Sequence, residues 1–229
     1  MAQLSETFPT LDCSYCILAP RMVGVAQHPN IKIITMAEPI ELKGIPGDYI
    51  VTIKVRPRYV DETKCTGCDE CSKVCPVEVL SEFSEGLELR KAIYVPFPQA
   101  VPRIYTVDVE NCIRCYKCID ACSPGAINFA QKPEEVNLNV GVIIIATGYS
   151  QINPRNFGEY SYGTHPDVVT NLEFERIMHM GFHRPSDGKT PKMVAFILCV
   201  GSRALQERAE EYCCKIGCMI GFKRAVNSR

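Results

Sequence analysis

The chain lacks net charge: 25 Lys and Arg stand against 26 Asp and Glu, a formal −1. That balance offers no basic face for nucleic acid or for an anionic membrane surface. Long apolar runs are missing too. None approaches the ~18 residues a membrane span needs, and the longest, "VGVIIIATG" at 140–148, reads as a buried strand. The opening "MAQLSETFPT" lacks the basic-then-apolar pattern of a secretory signal, which predicts a cytoplasmic protein. No complete dinucleotide fingerprint is present. "CVGSRALQERA" supplies Gly201 without the other glycines, which argues against direct oxidation of NAD(P)H. Histidine is scarce. His179 and His183 are spaced as a helical zinc pair would be, but Gly181 lies between them and no acidic partner is placed.

Cysteine is what the chain has in quantity, with 14 residues. A chain of 229 residues can bury a core without disulfide staples, and apolar (46%) and charged (22%) contents are those of a globular protein. In a reducing compartment dense cysteines point to metal. They fall into four groups: Cys13 and Cys16; Cys65, Cys68, Cys71 and Cys75; Cys112, Cys115, Cys118 and Cys122; Cys199, Cys213, Cys214 and Cys218.

The second and third groups repeat one spacing, "CTGCDECSKVCP" and "CIRCYKCIDACSP". Three thiolates at i, i+3 and i+6 wrap one corner of a cubane cluster, and in two-cluster ferredoxins the fourth cysteine of each run ligates the other run's cluster. Mapped here, Cys65, Cys68 and Cys71 pair with Cys122, and Cys112, Cys115 and Cys118 pair with Cys75. Pro76 ends the first run, because its ring fixes φ and removes a donor. Pro124 sits one place later than its counterpart. Gly67 suits a close backbone approach to inorganic sulfide. Structural zinc takes two ligand pairs across a longer span, which this spacing does not provide. The expectation is two 4Fe–4S clusters.

Around this unit the patterns change. "IKIIT" (31–35) and "YIVTIKV" (49–55) read as strands with a turn at Pro46, Gly47 and Asp48. "VNLNVGVIIIATG" reads as a strand leading into a buried parallel one. "NLEFERIMHMG" (171–181) reads as a helix capped by Asn171 and stopped by Gly181. "KMVAFILCVGS" (192–202) reads as a further buried strand and "ALQERAEEYCCKIGCMI" (204–220) as a helix. The link between the cysteine runs, with Pro96, Pro98 and Pro102, reads as a partly extended loop. Alternating strands and helices predict an α/β domain into which a ferredoxin unit is inserted.

Several stretches together resemble the A-subunit family of heterodisulfide reductases: "MAQLSETFPTLDCSYCILAPRM", "RPRYVDETKCTGC", "RKAIYVPFPQAVP", "IIIATGY", "LEFERI", "RPSDGKTPKMVAFILCVGSR" and "YCCKIGCM". The resemblance covers essentially the whole chain. It implies an α/β flavoprotein of thioredoxin-reductase-like fold, here a fragment, carrying an inserted α+β two-cluster ferredoxin domain. The implied division is 1–56 for the first part of the FAD domain, 57–132 for the insert, and 133–229 for the continuation. It also implies an oxidoreductase subunit that passes electrons between flavin and 4Fe–4S clusters. In the family this serves flavin-based electron bifurcation in anaerobic metabolism and methanogenesis. The partners would be other subunits of that complex and ferredoxin or hydrogenase-type donors. The family's G-x-G-x-x-G segment is expected ahead of "MAQL", so a split subunit or a truncated gene is the expectation. The alternative is a ferredoxin-like electron-carrier module without its own active site.

On that resemblance Ala146, Thr147 and Gly148 correspond to the turn that closes over FAD, and Cys199, Cys213, Cys214 and Cys218 to an additional cluster site. Cys199 would end a strand, with Cys214 and Cys218 one helical turn apart on one face. Some of the four could equally be small buried hydrophobes. Cys13 and Cys16 stay open between a redox-active pair, ligands completed by other chain segments, and free thiols.

Overall fold

The computed structural model describes residues 2–228. The chain divides into two units. One holds the residues up to Ala19, Ser81–Glu88 and those from Tyr149 onward; the other holds Pro20–Leu80 and Leu89–Gly148. Helix α1 (Ser14–Gln27) opens the chain's regular structure.

In the second unit, β1 (Ala37–Ile45) and β2 (Asp48–Val55) form an antiparallel hairpin with Ile45 opposite Asp48. Pro46 presets the turn and Gly47, at φ 95°, supplies the positive φ that its second corner needs. Helix α2 (Glu70–Lys73) follows the first cysteines. Strands β3 (Glu78–Leu80) and β4 (Leu89–Lys91) pair with each other, and β5 (Ile93–Tyr94) pairs with β6 (Thr106–Val107). Helix α3 (Lys117–Ala121) lies in the second cysteine run, and β7 (Glu134–Val140) returns to pair with β2. The larger sheet therefore has the order β1-β2-β7, with Thr52 Oγ1 donating to Asn137 Oδ1 at 2.8 Å across it.

The core of this unit is Val60, Ile93, Ile104, Tyr105, Val107 and Ala126 together with Cys71 and Cys118. Two of the candidate ligands are thus also core side chains. The chain closes on this core by crossed pairing. Val60, ahead of the first run, bridges Ile127 after the second, while Val107, ahead of the second, pairs with Ile93 after the first.

In the first unit, α4 (Asn171–Met180) begins with a capping box. Thr170 Oγ1 accepts from Glu173 N at 3.1 Å, and Glu173 Oε2 accepts from Thr170 N at 2.6 Å. The cap is Thr170 and not Asn171, because T-x-x-E closes two free N–H groups reciprocally. Helix α5 (Gly217–Asn227) packs near it through a buried ion cluster. Glu175 accepts from Lys223 Nζ at 2.8 Å, from Ser5 N at 2.6 Å and from Arg224.

Several sequence expectations are corrected. Residues 31–35 are not a strand. Val55, the last residue of β2, pairs with Ala37, so the hairpin register leaves 31–35 beyond the strand available to them. Residues 141–148 and 192–202 are not buried strands: Ile144 is 87% and Met193 88% exposed. A parallel-type strand needs hydrogen-bonded neighbours and cover on both faces, and among the described residues no strand pairs with either stretch. Residues 204–220 do not form one helix. Lys215 sits at φ 61°, and the N–H groups of Lys215 and Gly217 bond to Cys213 and Cys214 sulfurs, so they do not feed a helical ladder. The link between the cysteine runs is not an open loop, since it holds β3 to β6, whose two- and three-residue strands are too short to show a period.

Candidate metal centres

The two four-cysteine runs fold alike. Before each, an aspartate carbonyl accepts the N–H of the first cysteine: Asp61 from Cys65 at 3.0 Å and Asp108 from Cys112 at 2.9 Å. Within each, the third and fifth residues take the left-handed conformation. Gly67 and Arg114 have φ 68° and 53°, and Asp69 and Tyr116 have φ 72° and 60°. The turn at Arg114 points its amide at the Cys112 sulfur, and in both runs the turns lead into the short helices α2 and α3, which carry Cys71 and Cys118 into the core. Exposure follows the repeat: Cys71 and Cys118 are buried, Cys68 and Cys115 exposed, and the first and last cysteine of each run half-buried. Gly67 is glycine for a further reason. A Cβ there would meet the carbonyl oxygen of Arg103 at 2.9 Å.

Grouping crosses the runs. Cys65, Cys68 and Cys71 line one cavity with Cys122, closed on its apolar side by Val60, Tyr105 and Ile127. Burial pushes the Cys71 thiol up to about 12, and neighbouring Cys122 and Cys65 push the same way. Burial likewise raises Cys118, with Cys112, Cys115 and Cys75 as neighbours of the same sign. Thiols crowded in an apolar pocket stay protonated unless a cationic group joins them, and a metal centre is such a group. Backbone amides already face the sulfurs: Ala126 N lies 3.3 Å from Cys122 Sγ and Arg114 N 3.4 Å from Cys112 Sγ. Among the described residues, no three His, Cys, Asp or Glu side chains converge as a single ion would require. Four sulfurs around a cavity fit a polynuclear centre.

The other predicted residues fall elsewhere. Cys13 stands at the start of α1, its sulfur accepting the Cys16 N–H at 3.2 Å. Hydrogen bonds from the Cys16 side chain and backbone lower the Cys13 thiol, while the shared bond raises Cys16. Cys214 is lowered by the backbone N–H groups of Gly217 and Ile216. It precedes α5 and Cys218 lies within it, so the two are not one turn apart on a common helix face. The segment with Cys199, itself at φ 61°, runs beside the one with Cys213: Ser202 bridges Glu210 and Arg203 N donates to Tyr212 O at 3.2 Å. Ala146, Thr147 and Gly148 are exposed, with Gly148 at φ 74°. Sequence reading missed Asp69 and Tyr105 on the cavity wall. Nothing in a linear pattern links them, since Tyr105 reaches the site from the segment ahead of β6. No described helix is long and apolar enough to cross a membrane.

Comparison with known proteins follows the same lines. The family model of the 4Fe–4S dicluster domain matches residues 63–127. The chain is 53% identical over 231 residues to the iron-sulfur A-subunit of the CoB–CoM heterodisulfide reductase of Methanocaldococcus jannaschii, covering 98% of this chain and 35% of that protein. It is 48% identical to the A-subunit of the H2:CoB-CoM heterodisulfide,ferredoxin reductase of Methanothermobacter marburgensis, with the same coverage. It is 42% identical to the A-subunit of the ferredoxin/F420H2-dependent CoB-CoM heterodisulfide reductase of Methanosarcina acetivorans, covering 98% of this chain and 29% of that protein. The chain thus spans about a third of the length of the curated relatives it matches. Over that span, it is similar to the A-subunits of heterodisulfide reductases, and it contains a 4Fe–4S dicluster domain.

Proposed function

We propose that this chain is the electron-transferring part of a heterodisulfide reductase-like oxidoreductase. Cys65, Cys68, Cys71 and Cys122 hold one 4Fe–4S cluster, and Cys112, Cys115, Cys118 and Cys75 hold the other, within an inserted domain spanning residues 57–132. When bound, such clusters supply single-electron carriage. The chain's residues supply the thiolates, the amides facing sulfur, and the apolar wall that keeps water back. The observation that carries this reading is the presence of Cys122 in the cavity of the other run.

Residues 1–56 and 133–229 belong, in this reading, to a thioredoxin-reductase-like domain that binds FAD when the assembly is complete, with Ala146, Thr147 and Gly148 at the flavin. Cys199, Cys213, Cys214 and Cys218 hold a third cluster, supported by the side-by-side run of their two segments. Cys13 and Cys16 act as a redox pair, supported by their hydrogen bond and their oppositely shifted thiols. Partner subunits and a ferredoxin or hydrogenase-type donor exchange electrons with it in the cytoplasm, and relatives named for heterodisulfide reduction support that substrate class.

The test is anaerobic production followed by counting iron, acid-labile sulfide and flavin per chain. Roughly twelve irons support three clusters, and roughly eight support the insert alone. Iron without flavin leaves the electron-carrier reading. Zinc in place of iron and sulfide overturns the proposal.

A further inference from the structure

The two runs share a backbone but not a charge. Backbone N–H donation to sulfur is matched, with one reaching each ligand set, at Cys122 and at Cys112; the second set adds only a Cys75 thiol donating to Val77 O at 3.8 Å. What differs is the fifth residue, Asp69 in one run and Tyr116 in the other. Asp69 places a carboxylate on the wall of the cavity that Cys65, Cys68, Cys71 and Cys122 line. It is held there: its Oδ1 accepts from the Ser72 hydroxyl at 2.6 Å and from the hydroxyl of Tyr105, which is buried on the same wall. Tyr116 is neutral and packs edge-on against Phe129, ring centres 5.4 Å apart.

The remaining charges do not reverse this difference. Near the first run, Arg103 is exposed and Lys73 is paired with Glu70 at 2.7 Å. Near the second, exposed Arg114 and Lys117 balance exposed Glu110 and Asp120, and half-buried Asp108 is neutralised by Arg90 at 3.0 Å. Water screens the exposed ones more than it screens half-buried Asp69, and Asp108 has its own counter-charge in Arg90. A fixed negative charge beside a centre opposes the addition of an electron and lowers its potential.

Resting on the cluster assignment above, we infer that Asp69, clamped by Tyr105 and Ser72, makes the Cys65/Cys68/Cys71/Cys122 centre the low-potential member of the pair. An electron entering the domain then comes to rest at the Cys112/Cys115/Cys118/Cys75 centre. One electron is lost at the first centre and the same electron is gained at the second; no bond or proton changes. The repeat is a directional relay rather than two equal stores.

The test is an anaerobic redox titration of the complete protein read by electron paramagnetic resonance, with Cys68→Ala and Cys115→Ala assigning the two signals. The signal lost in Cys68→Ala is expected at the lower potential. Asp69→Asn shifts it upward and leaves the other in place. The reciprocal Tyr116→Asp lowers the other signal and narrows the gap. Equal potentials, the opposite order, or an Asp69→Asn variant with full iron content and no shift would overturn the inference while leaving the clusters assigned. If Asp69→Asn loses iron, Tyr116→Asp decides, and no shift there overturns it. Absence of both signals from the unaltered protein removes the cluster assignment, and the inference with it.

Discussion

Cys122 lines the cavity of Cys71 although it closes the other cysteine run. Conversely, Cys75 of the first run is a charge neighbour of Cys118 in the second. Replacing Cys122 with Ala is expected to damage the centre built on Cys65, Cys68 and Cys71, and replacing Cys75 the centre built on Cys112, Cys115 and Cys118. Iron in the dicluster domain should fall from roughly eight towards four in each variant. Mössbauer and paramagnetic resonance spectra, compared with those of Cys68→Ala and Cys115→Ala, show which centre is lost. Loss of the signal belonging to the variant's own run would contradict the crossed pairing.

Gly67 and Arg114 hold equivalent left-handed positions, and a Cβ at Gly67 would meet a backbone carbonyl at close range. Gly67→Ala should destabilise the domain by at least about 1–2 kcal/mol, the cost of forcing a side chain into that conformation. The Arg103 carbonyl adds to that cost. Arg114→Gly should stay within about 1 kcal/mol of the parent, because relief of the backbone offsets added freedom in the unfolded chain. Urea unfolding of the iron-loaded protein measures both.

Glu175 and Lys223 form an ion pair whose side chains are 2% and 3% exposed. Burial pushes the Glu175 carboxyl up, but Arg224, Lys223 and Ser5 outweigh it and hold it below the usual carboxylate range. A folded value below the unfolded one, about 4.3, adds stability that is present above that pH. It is lost as pH falls through the folded value. Glu175→Gln would leave two buried cations uncompensated, and a loss of about 3–5 kcal/mol is expected. The variant's stability should also depend less on pH in the acid range. Unfolding monitored between neutral pH and about pH 3 checks both statements.

Cys13 and Cys16 share one hydrogen bond with opposite consequences. Cys13 should therefore alkylate first at neutral pH, its rate rising below the ordinary thiol range, with Cys16 following above it. Cys16→Ser should keep part of the Cys13 advantage, because the backbone N–H remains. Peptide mapping after brief iodoacetamide treatment at several pH values reads the order; equal rates would remove the case for a redox pair.

What could be read in advance was what repeats or what is local. The four-cysteine spacing, the turn at Pro46 and Gly47, strand β2 and helix α4 depend on neighbours a few residues away. Apolar pattern misled where burial needs distant cover. "VGVIIIATG" and "KMVAFILCVGS" have the composition of central strands, yet no described strand pairs with the apolar stretches 141–148 and 192–202. The helix expected over 204–220 failed on a local point that periodicity does not contain: cysteine sulfurs compete for the backbone donors. Tyr105 and Asp69 meet only because the chain folds back between them, so no spacing rule finds the pair.

The crossed pairing of Val60 with Ile127 also sets a timetable. A chain emerging from the ribosome exposes Cys65, Cys68 and Cys71 long before Cys122 exists. At about 5–20 residues per second, that delay is roughly 3–11 s. During it the first three thiols stand without the fourth thiol proposed to join them, and the Val60–Ile127 bridge is still unmade. On the proposed assignment, the first centre is completed only after the last turn of the second run has been synthesised.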